Sequence, residues 1–224
     1  EFNKFLTSVM SKNNLSYSQL YQDLFVLYCF NNKTNGNYID IGASDGIALS
    51  NSYLLEKKFN WTGVLVEPDP YWNKSLKNNR KKSIVVNDCA WSSSDEKKTF
   101  YSSDIKELST IEEFRFSDKI NFYQRNKNGC KIENINTISL NDICSKYFIN
   151  NQIDYVSIDT EGSEYKILET FDFSMYKVGV FTIEHNFTEN QKNIDNLMFN
   201  NGFKRIFELH TGFDAWYINL NYSF

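Results

Sequence analysis

The chain has 224 residues and a formal net charge of −4, with 41% hydrophobic and 17% aromatic residues. This composition excludes a disordered chain and a disulfide-stapled miniprotein, and the length is sufficient for one sizeable core. The acidic balance argues against a protein dedicated to duplex DNA or RNA, because such proteins are usually basic. We expect neither a membrane span nor a secretion signal, and four scattered cysteines suit a reducing compartment, so the predicted location is cytoplasmic.

The first half of the sequence alternates between predicted helices and strands. An amphipathic helix is predicted over residues 18–30. Strands at 38–41, 61–66 and 83–86 then alternate with helices at 48–59 and 71–79. Strands separated by one helix each are typical of a parallel sheet. The basic run at 77–82 is interpreted as a solvated helix end.

The second half continues this alternation after a less regular, polar segment at 91–136. Predicted helices at 140–148, 164–171 and 189–200 alternate with strands at 154–158 and 178–183. Two closing strands, 203–209 and 213–220, are joined by a turn at Thr211-Gly212 and predict an antiparallel edge. The pattern as a whole predicts an α/β domain.

Two motifs at the ends of the first two strands predict a nucleoside cofactor. Asp40-Ile-Gly42-Ala-Ser-Asp-Gly46 places a carboxylate inside the first strand, and its two glycines permit a tight turn and close approach of a ligand to the backbone. Glu67 ends the second strand, where a carboxylate can bind ribose hydroxyls. Either motif alone is compatible with an ordinary turn. Together they favour S-adenosylmethionine, with Asp40 facing its methionine amino end.

Three further polar clusters follow later strands, at the edge where ligands bind in open α/β sheets. The first suits an adenine base, and the other two suit catalysis. Their alternative interpretations are a plain turn, carboxylates that complement a helix dipole, and a structural histidine. The clusters are 87–90 with Asp88, Cys89 and Ala90, 159–164 with Asp159, Glu161 and Glu164, and 184–186 with Glu184 and His185.

These motifs resemble those of FkbM-family, class I S-adenosylmethionine-dependent methyltransferases. The matching stretches are Gln22-Asp23, YIDIGASDG at 38–46, Ser50-Asn51, Val66-Glu-Pro68, DYVSIDTEGSEYKIL at 154–168 and TIEHN at 182–186. Many members have a lysine two residues before Asp159, where this chain has Ser157, so no lysine role is transferred. The predicted cofactor residues are Gln22, Asp40, Gly42, Ala43, Ser44, Gly46, Asn51, Glu67, Pro68, Asp88, Cys89, Ala90 and Asp159.

The resemblance also implies a fold and a reaction. The expected fold is a Rossmann-like, seven-stranded, mostly parallel sheet with an antiparallel C-terminal hairpin strand and helices on both faces. Residues 1–36 are predicted to form a helical segment packed on a methyltransferase domain at 37–224, with an acceptor-side insertion around 91–136. The expected reaction is O-methyl transfer to a hydroxyl of a sugar, a glycan or a natural product.

The predicted chemistry depends on a base. The sulfonium methyl is already activated, whereas a neutral hydroxyl is a poor nucleophile and benefits from a positioned base. His185 is the predicted base because an ordinary histidine has a pKa of about 6.5, with Glu184 and Asp159 as neighbours that orient it or the acceptor. Alternatively, Asp159, Glu161 and Glu184 hold Mg²⁺, which would acidify the hydroxyl.

Three other functions compete with this interpretation. A dinucleotide-dependent oxidoreductase is disfavoured because the glycine turn lacks the third glycine of the dinucleotide fingerprint. A non-catalytic nucleoside-binding module is disfavoured by the intact acidic residues. An RNA methyltransferase is disfavoured by the acidic charge. No feature of the sequence specifies an oligomeric state.

Overall fold

The computed structural model describes residues 2–117 and 121–224. Glu1, in the predicted N-terminal segment, and residues 118–120, in the predicted insertion, lie outside the described residues. The strands are β1 (Asn37–Ile41), β2 (Thr62–Val66), β3 (Ile84–Val86), β4 (Cys89–Trp91), β5 (Lys97–Ser103), β6 (Thr110–Ile111), β7 (Gly129–Ser139), β8 (Gln152–Ile158), β9 (Lys177–Glu184), β10 (Phe203–Ile206) and β11 (Asp214–Asn219).

Helices connect most of these strands. They are α1 (Phe2–Met10), α2 (Gln22–Cys29), α3 (Tyr53–Phe59), α4 (Asn73–Asn79), α5 (Phe122–Arg125), α6 (Leu140–Tyr147), α7 (Glu164–Leu168) and α8 (Asn190–Asn200). Across residues 2–117 and 121–224, every helix is too short or too polar to traverse a bilayer.

Seven strands form the main sheet, in the order β10-β11-β9-β8-β1-β2-β3. β1 pairs in parallel with β2 on one side and with β8 on the other, so Asp40 lies opposite Leu65 and Ser157. β11 runs antiparallel to both of its neighbours, β9 and β10. The predicted fold, a mostly parallel seven-stranded sheet with an antiparallel C-terminal strand, is confirmed.

Both faces of the main sheet are covered, which explains why its strands are apolar runs. Successive side chains of a strand point to opposite faces. Ile39 and Ile41 of β1 accordingly join a core with residues of α6, α7 and α8. Tyr38 of β1 joins a second core with residues of α1, α2, α3 and α4, so helices pack on both faces as expected.

The polar segment at 91–136 is more regular than its composition indicates. Strands β5 and β6 lie within this segment and form a second sheet with β4 and β7, in the order β4-β7-β5-β6. A small core that includes Trp91, Phe100 and Ile111 belongs to this sheet. The first eight residues of β7 are exposed or half-buried, and its last three are buried. A strand with little burial lacks the apolar alternation from which strands are predicted.

Several element boundaries differ from the prediction. α3 begins at Tyr53 and not at Ala48, because Leu49 has a left-handed backbone with a φ of 56°. The closing strand β10 ends at Ile206, since Phe207 is left-handed and a short 3-10 turn follows at Glu208–His210. Arg80, in the basic run predicted to be solvated, is 1% exposed.

Candidate active site

A cavity of about 310 Å³ opens where the carboxyl ends of β1, β2, β8 and β9 meet. Because parallel strands end at the same edge, polar residues distant in sequence converge there. The second sheet contributes Phe100, Ile111 and the turn at 106–109 to the lining. The predicted site residues that line it are Asp40, Gly42, Ala43, Ser44, Asn51, Glu67, Pro68, Cys89, Ala90, Asp159 and Glu184, and Glu161 lines it as well.

Gly42 is required by the backbone of a neighbouring strand. Its φ is +89°, a conformation that favours glycine, and a Cβ atom would lie 1.8 Å from the Asp159 carbonyl oxygen. Its N–H donates to the Val66 carbonyl at 2.9 Å. The glycine therefore allows the end of β1 to approach both neighbouring strands, which brings their terminal side chains around one cavity.

Asp40 is buried at the cavity wall, with 3% of its surface exposed. Its Oδ2 accepts a hydrogen bond from the Ser52 hydroxyl at 2.5 Å. Burial raises the pKa of Asp40, and the Ser52 hydrogen bond and the positive charge of Arg80 oppose this rise. A cationic ligand group would favour the ionised form further.

Glu67 is held by backbone amides. Its Oε2 accepts from Ser44 N–H at 2.9 Å and its Oε1 accepts from Asp69 N–H at 2.8 Å. Burial raises the pKa of Glu67 to about 7, although these two hydrogen bonds oppose the rise. Since a carboxylate accepts up to four hydrogen bonds, both oxygens keep capacity for a ligand hydroxyl.

The third predicted cluster reaches the cavity through only two residues. Cys89 and Ala90 line it beside Phe100 and Ile111, whose apolar surfaces suit the face of a base. Burial raises the pKa of the Cys89 thiol to about 12, so the group is neutral and not a nucleophile at ordinary pH. Asp88 is half-buried and does not line the cavity.

Asp159 and Glu184 form a carboxyl pair at the ends of adjacent strands. A hydrogen bond links their side chains, and burial raises the pKa of both groups well above the ordinary range. The negative charge of Glu161 raises both values further. Glu184 Oε2 is buried and has no hydrogen-bond partner among the described residues. The arrangement favours one shared proton, with a carboxylate oxygen available to a ligand.

Glu161 completes a cluster whose carboxylate oxygens lie within 4.8 Å of those of Asp159 and Glu184. Such a set could hold a divalent cation by its donor chemistry. However, the buried guanidinium of Arg125 forms an ion pair with Glu161. Asn186 Nδ2 also donates to Glu161 at 3.4 Å. A fixed positive charge therefore already stands beside this cluster.

Glu164 has a different position from the other carboxylates of its motif. Its Oε1 accepts from the backbone N–H groups of Thr160 and Gly162 at 3.0 and 2.9 Å, and from the Thr160 hydroxyl at 2.9 Å. It closes the turn between β8 and α7 and does not line the cavity.

His185, the predicted base, does not line the cavity. Its Nδ1 accepts from the backbone N–H of Phe187 at 3.1 Å, and its Nε2 lies 3.2 Å from a guanidinium nitrogen of Arg205. Burial, together with the positive charge of Arg205, lowers the pKa of His185 to about 4. The neutral ring holds the turn in which Asn186 and Phe187 are both left-handed. Asn186, which the sequence analysis left without a role, is the neighbour that faces the cavity.

Two predicted cofactor residues lie behind the cavity wall. Gln22 is buried and donates from Nε2 to Asp214 Oδ2 at 2.8 Å. Gly46 has a φ of +79°, and a Cβ there would lie 2.6 Å from side-chain atoms of Arg80 and Leu76. Neither residue lines the cavity.

Three cationic residues of this region carry no recognisable signal in the sequence. Lys106 lines the cavity and donates from Nζ to the Ser102 hydroxyl at 2.8 Å, while Arg80 and Arg125 are buried behind it. All three stand in polar, charged stretches with no periodicity that would indicate burial. No pattern in the sequence around these three residues therefore predicts that they lie at or behind the cavity.

The comparison with family models identifies the family of the chain. The family model described as the methyltransferase FkbM domain matches residues 40–207, which is most of the chain. The chain therefore belongs to the FkbM methyltransferase family and is an S-adenosylmethionine-dependent methyltransferase. A search of curated protein sequences finds no significant match.

Solved structures with similar folds include the following three proteins. Precorrin-6Y C5,15-methyltransferase from Geobacter metallireducens is 10% identical, with 88% of this chain and 84% of that chain covered and a TM-score of 0.47. Aeropyrum pernix fibrillarin with natively bound S-adenosyl-L-methionine is 12% identical, with coverages of 90% and 73% and a TM-score of 0.46. TrmK from M. capricolum, in complex with S-adenosyl-homocysteine, is 15% identical, with coverages of 88% and 68% and a TM-score of 0.42.

Proposed function

We propose that this methyltransferase transfers its methyl group to a hydroxyl of a sugar, a glycan or a natural product. The observation that carries the proposal is one cavity lined both by cofactor-type carboxylates, Asp40 and Glu67, and by the carboxyl pair Asp159–Glu184. A buried carboxylate with a raised pKa is a stronger base than an exposed one, which is what a neutral hydroxyl nucleophile needs.

The cofactor is proposed to lie along the ends of β1, β2 and β4. Asp40 would pair with the ammonium group of its methionine part, and Glu67 would accept from the ribose hydroxyls. Cys89 and Ala90 would flank the adenine base. Asn51 supports this placement, because its Oδ1 is buried without a hydrogen-bond partner in the described part of the chain and the residue lines the cavity. A ligand N–H or O–H would satisfy that oxygen.

The acceptor hydroxyl oxygen would attack the methyl carbon in line with the sulfur atom. As the new C–O bond forms, the S–CH₃ bond breaks and its electron pair remains on sulfur. The hydroxyl proton passes to the ionised carboxylate of the Asp159–Glu184 pair. This assignment replaces His185 as the proposed base, because the His185 ring nitrogens are engaged by Phe187 and Arg205.

The remaining proposals follow from what surrounds the cavity. The turn at 106–109, with Lys106, is proposed to contact the acceptor, because it belongs to the second sheet and lines the cavity. The mechanism includes no Mg²⁺, since Arg125 already balances the charge of Glu161.

The cytoplasmic location stays a proposal, supported by four free cysteines.

The first test of the proposal is calorimetric titration with S-adenosylmethionine and S-adenosylhomocysteine, followed by methyl-transfer assays on panels of glycosides and RNA. Binding together with transfer to glycoside hydroxyls is the expected result. Transfer to RNA alone would overturn the choice of acceptor. A folded protein that binds neither ligand would overturn the proposed function.

A matched pair of variants tests the base assignment. We expect Glu184→Gln to lower kcat by about 10²-fold or more, the range typical of a lost general base. His185→Gln should leave the pH dependence of kcat unchanged, because the histidine is not the proton acceptor. A loss of the acidic limb of the pH profile in His185→Gln would contradict the assignment, because a general base is inactive when it is protonated.

A further inference from the structure

The loop at residues 42–52, between β1 and α3, forms much of the cavity wall, yet it has little regular structure of its own. It contributes Gly42, Ala43, Ser44 and residues 48–51 to the lining. Its backbone is left-handed at four positions, Gly42, Ser44, Gly46 and Leu49. A segment of this kind lacks the hydrogen-bond ladder of a helix or strand, so its shape depends on anchors from elsewhere.

Arg80, directly after α4, supplies such an anchor from behind the loop. Its Nη1 donates to the Gly46 carbonyl at 3.0 Å and to the Ser50 hydroxyl at 3.2 Å. Its Nη2 donates to the Ser52 hydroxyl at 3.0 Å. One guanidinium therefore holds the loop at three points, with its donors in a rigid planar arrangement.

The charge of Arg80 is balanced on its other side. Its Nε donates to Glu56 Oε2 at 2.9 Å, and Nη2 also donates to the Tyr38 hydroxyl at 2.6 Å. Ser83 donates to the same Glu56 oxygen at 2.5 Å. A buried cation is tolerated when it is paired and fully hydrogen-bonded, and this one is.

Two hydrogen bonds connect Arg80 to Asp40 through the Ser52 hydroxyl, and the donor and acceptor of each are fixed. An arginine can only donate, so the Ser52 oxygen accepts from Arg80 and its own proton must point elsewhere. That proton is donated to Asp40 Oδ2 at 2.5 Å. The hydroxyl is polarised by a cation and directed at a carboxylate, which stabilises the ionised form of that carboxylate.

We propose that Arg80 is a positioning residue of the cofactor site, which fixes the loop at 42–52 and, through Ser52, keeps Asp40 ionised to receive the cofactor ammonium group. This inference rests on the proposed placement of the cofactor. Arg80 does not line the cavity, and it acts through the loop, through Ser52 and through its positive charge on Asp40.

Ser52→Ala is the informative variant, because it removes the link to Asp40 and leaves the Arg80–Glu56 ion pair in place. Without the Ser52 hydrogen bond, burial raises the pKa of Asp40 further, so a smaller fraction is ionised at low pH. The other ionisable groups that influence or face Asp40 are Arg80, Glu67 and Tyr155. They are unchanged in the variant, so the ratio of variant to wild-type affinity reports on Asp40.

Calorimetry with S-adenosylhomocysteine at pH 6 and pH 8 tests the inference. We expect Ser52→Ala to bind about tenfold more weakly at pH 6 and to recover part of that loss at pH 8. Ser83→Ala is the matched control, since it removes one hydroxyl from the same network on the side away from Asp40. It should bind within about twofold of wild type at both pH values. Circular dichroism establishes that each variant is folded.

Arg80→Lys provides a second arm, because it keeps the charge and loses the planar arrangement of donors. We expect it to weaken binding by at least tenfold at both pH values. The inference is overturned if Ser52→Ala binds like wild type, if its loss is equal at both pH values, or if Ser83→Ala loses as much. A wild-type protein that binds no S-adenosylhomocysteine would refute the proposed function itself.

Discussion

Burial raises the pKa of the Glu67 carboxyl group, and two backbone hydrogen bonds lower it. The net result is a pKa of about 7. The ionised carboxylate is the stronger acceptor for ribose hydroxyls, so cofactor affinity should depend on pH near neutrality. We expect the affinity for S-adenosylhomocysteine to rise about threefold to tenfold between pH 6 and pH 8. Glu67→Gln should bind more weakly, with most of this dependence removed, and calorimetry across that range measures both.

The carboxylates of the site were predictable because they end apolar strands, and parallel strands end at one edge. The orientation of His185 was not predictable. Two consecutive left-handed residues, Asn186 and Phe187, follow it, and its ring contacts Arg205 on β10. Both features depend on tertiary contacts that leave no local pattern in the sequence. The sequence therefore indicated the motif, of which Glu184 and Asn186 line the cavity and His185 does not.

At the level of elements, α1 lies before the residues matched by the family model but packs as part of the core. Phe5 is 4% exposed, and its ring centroid lies 5.8 Å from that of Trp216 on β11 and 6.0 Å from that of Phe25 on α2. Through Phe5, α1 therefore shares one core with α2 and β11.

Replacement of Phe5 tests whether that segment belongs to the same folding unit. We expect Phe5→Ala to lower the free energy of unfolding by about 3–5 kcal/mol, the usual cost of removing a buried phenylalanine ring. Met10→Ala in the same helix should change it by less than about 0.5 kcal/mol, because Met10 is 77% exposed. Denaturant unfolding followed by circular dichroism gives both values. Equal effects of the two substitutions would indicate that α1 is not part of the cooperative core.

The elements of the main sheet were largely predictable, since an apolar run followed by a polar end marks each strand. The second sheet was not predictable, because β7 pairs through its backbone while most of its side chains face solvent. Backbone pairing of this kind is set by neighbouring strands and leaves little pattern in side-chain type.

At the scale of the whole molecule, buried carboxyl groups outnumber buried cationic groups among the residues that the structure describes. Burial raises the pKa of Glu67 to about 7 and that of Asp214 to about 6, from ordinary values of 4.5 and 3.8. The pKa values of Asp159 and Glu184 are raised as well. A group whose pKa is higher in the folded state stabilises the fold while it is protonated, and this contribution is lost as the pH rises.

The free energy of unfolding should therefore fall between pH 6.5 and pH 8. His185 opposes the trend chiefly below about pH 7, because its pKa is lowered on folding to about 4 from an ordinary value of 6.5. Glu67 alone should contribute a decrease on the order of 1 kcal/mol over this interval. Thermal unfolding of the cofactor-free protein measures the change, and Glu67→Gln should reduce the slope. A melting temperature that rises over the interval would contradict this account.

The position of β1 in the sheet has a consequence for how the protein is made. β1 lies beside β2, its neighbour in the chain, but its other partner is β8, and the backbone of Asn37 bonds to Asp154, 117 residues later. On the ribosome, the glycine turn and the first carboxylates emerge long before the strand that completes their binding edge. β5 and β7 are close in sequence and can pair early. The edge of β1 that pairs with β8 in the folded protein stays open until β8 is synthesised, and an open edge can pair with a wrong strand. We therefore expect the cofactor to assist only the last stage of folding, after synthesis has passed β9.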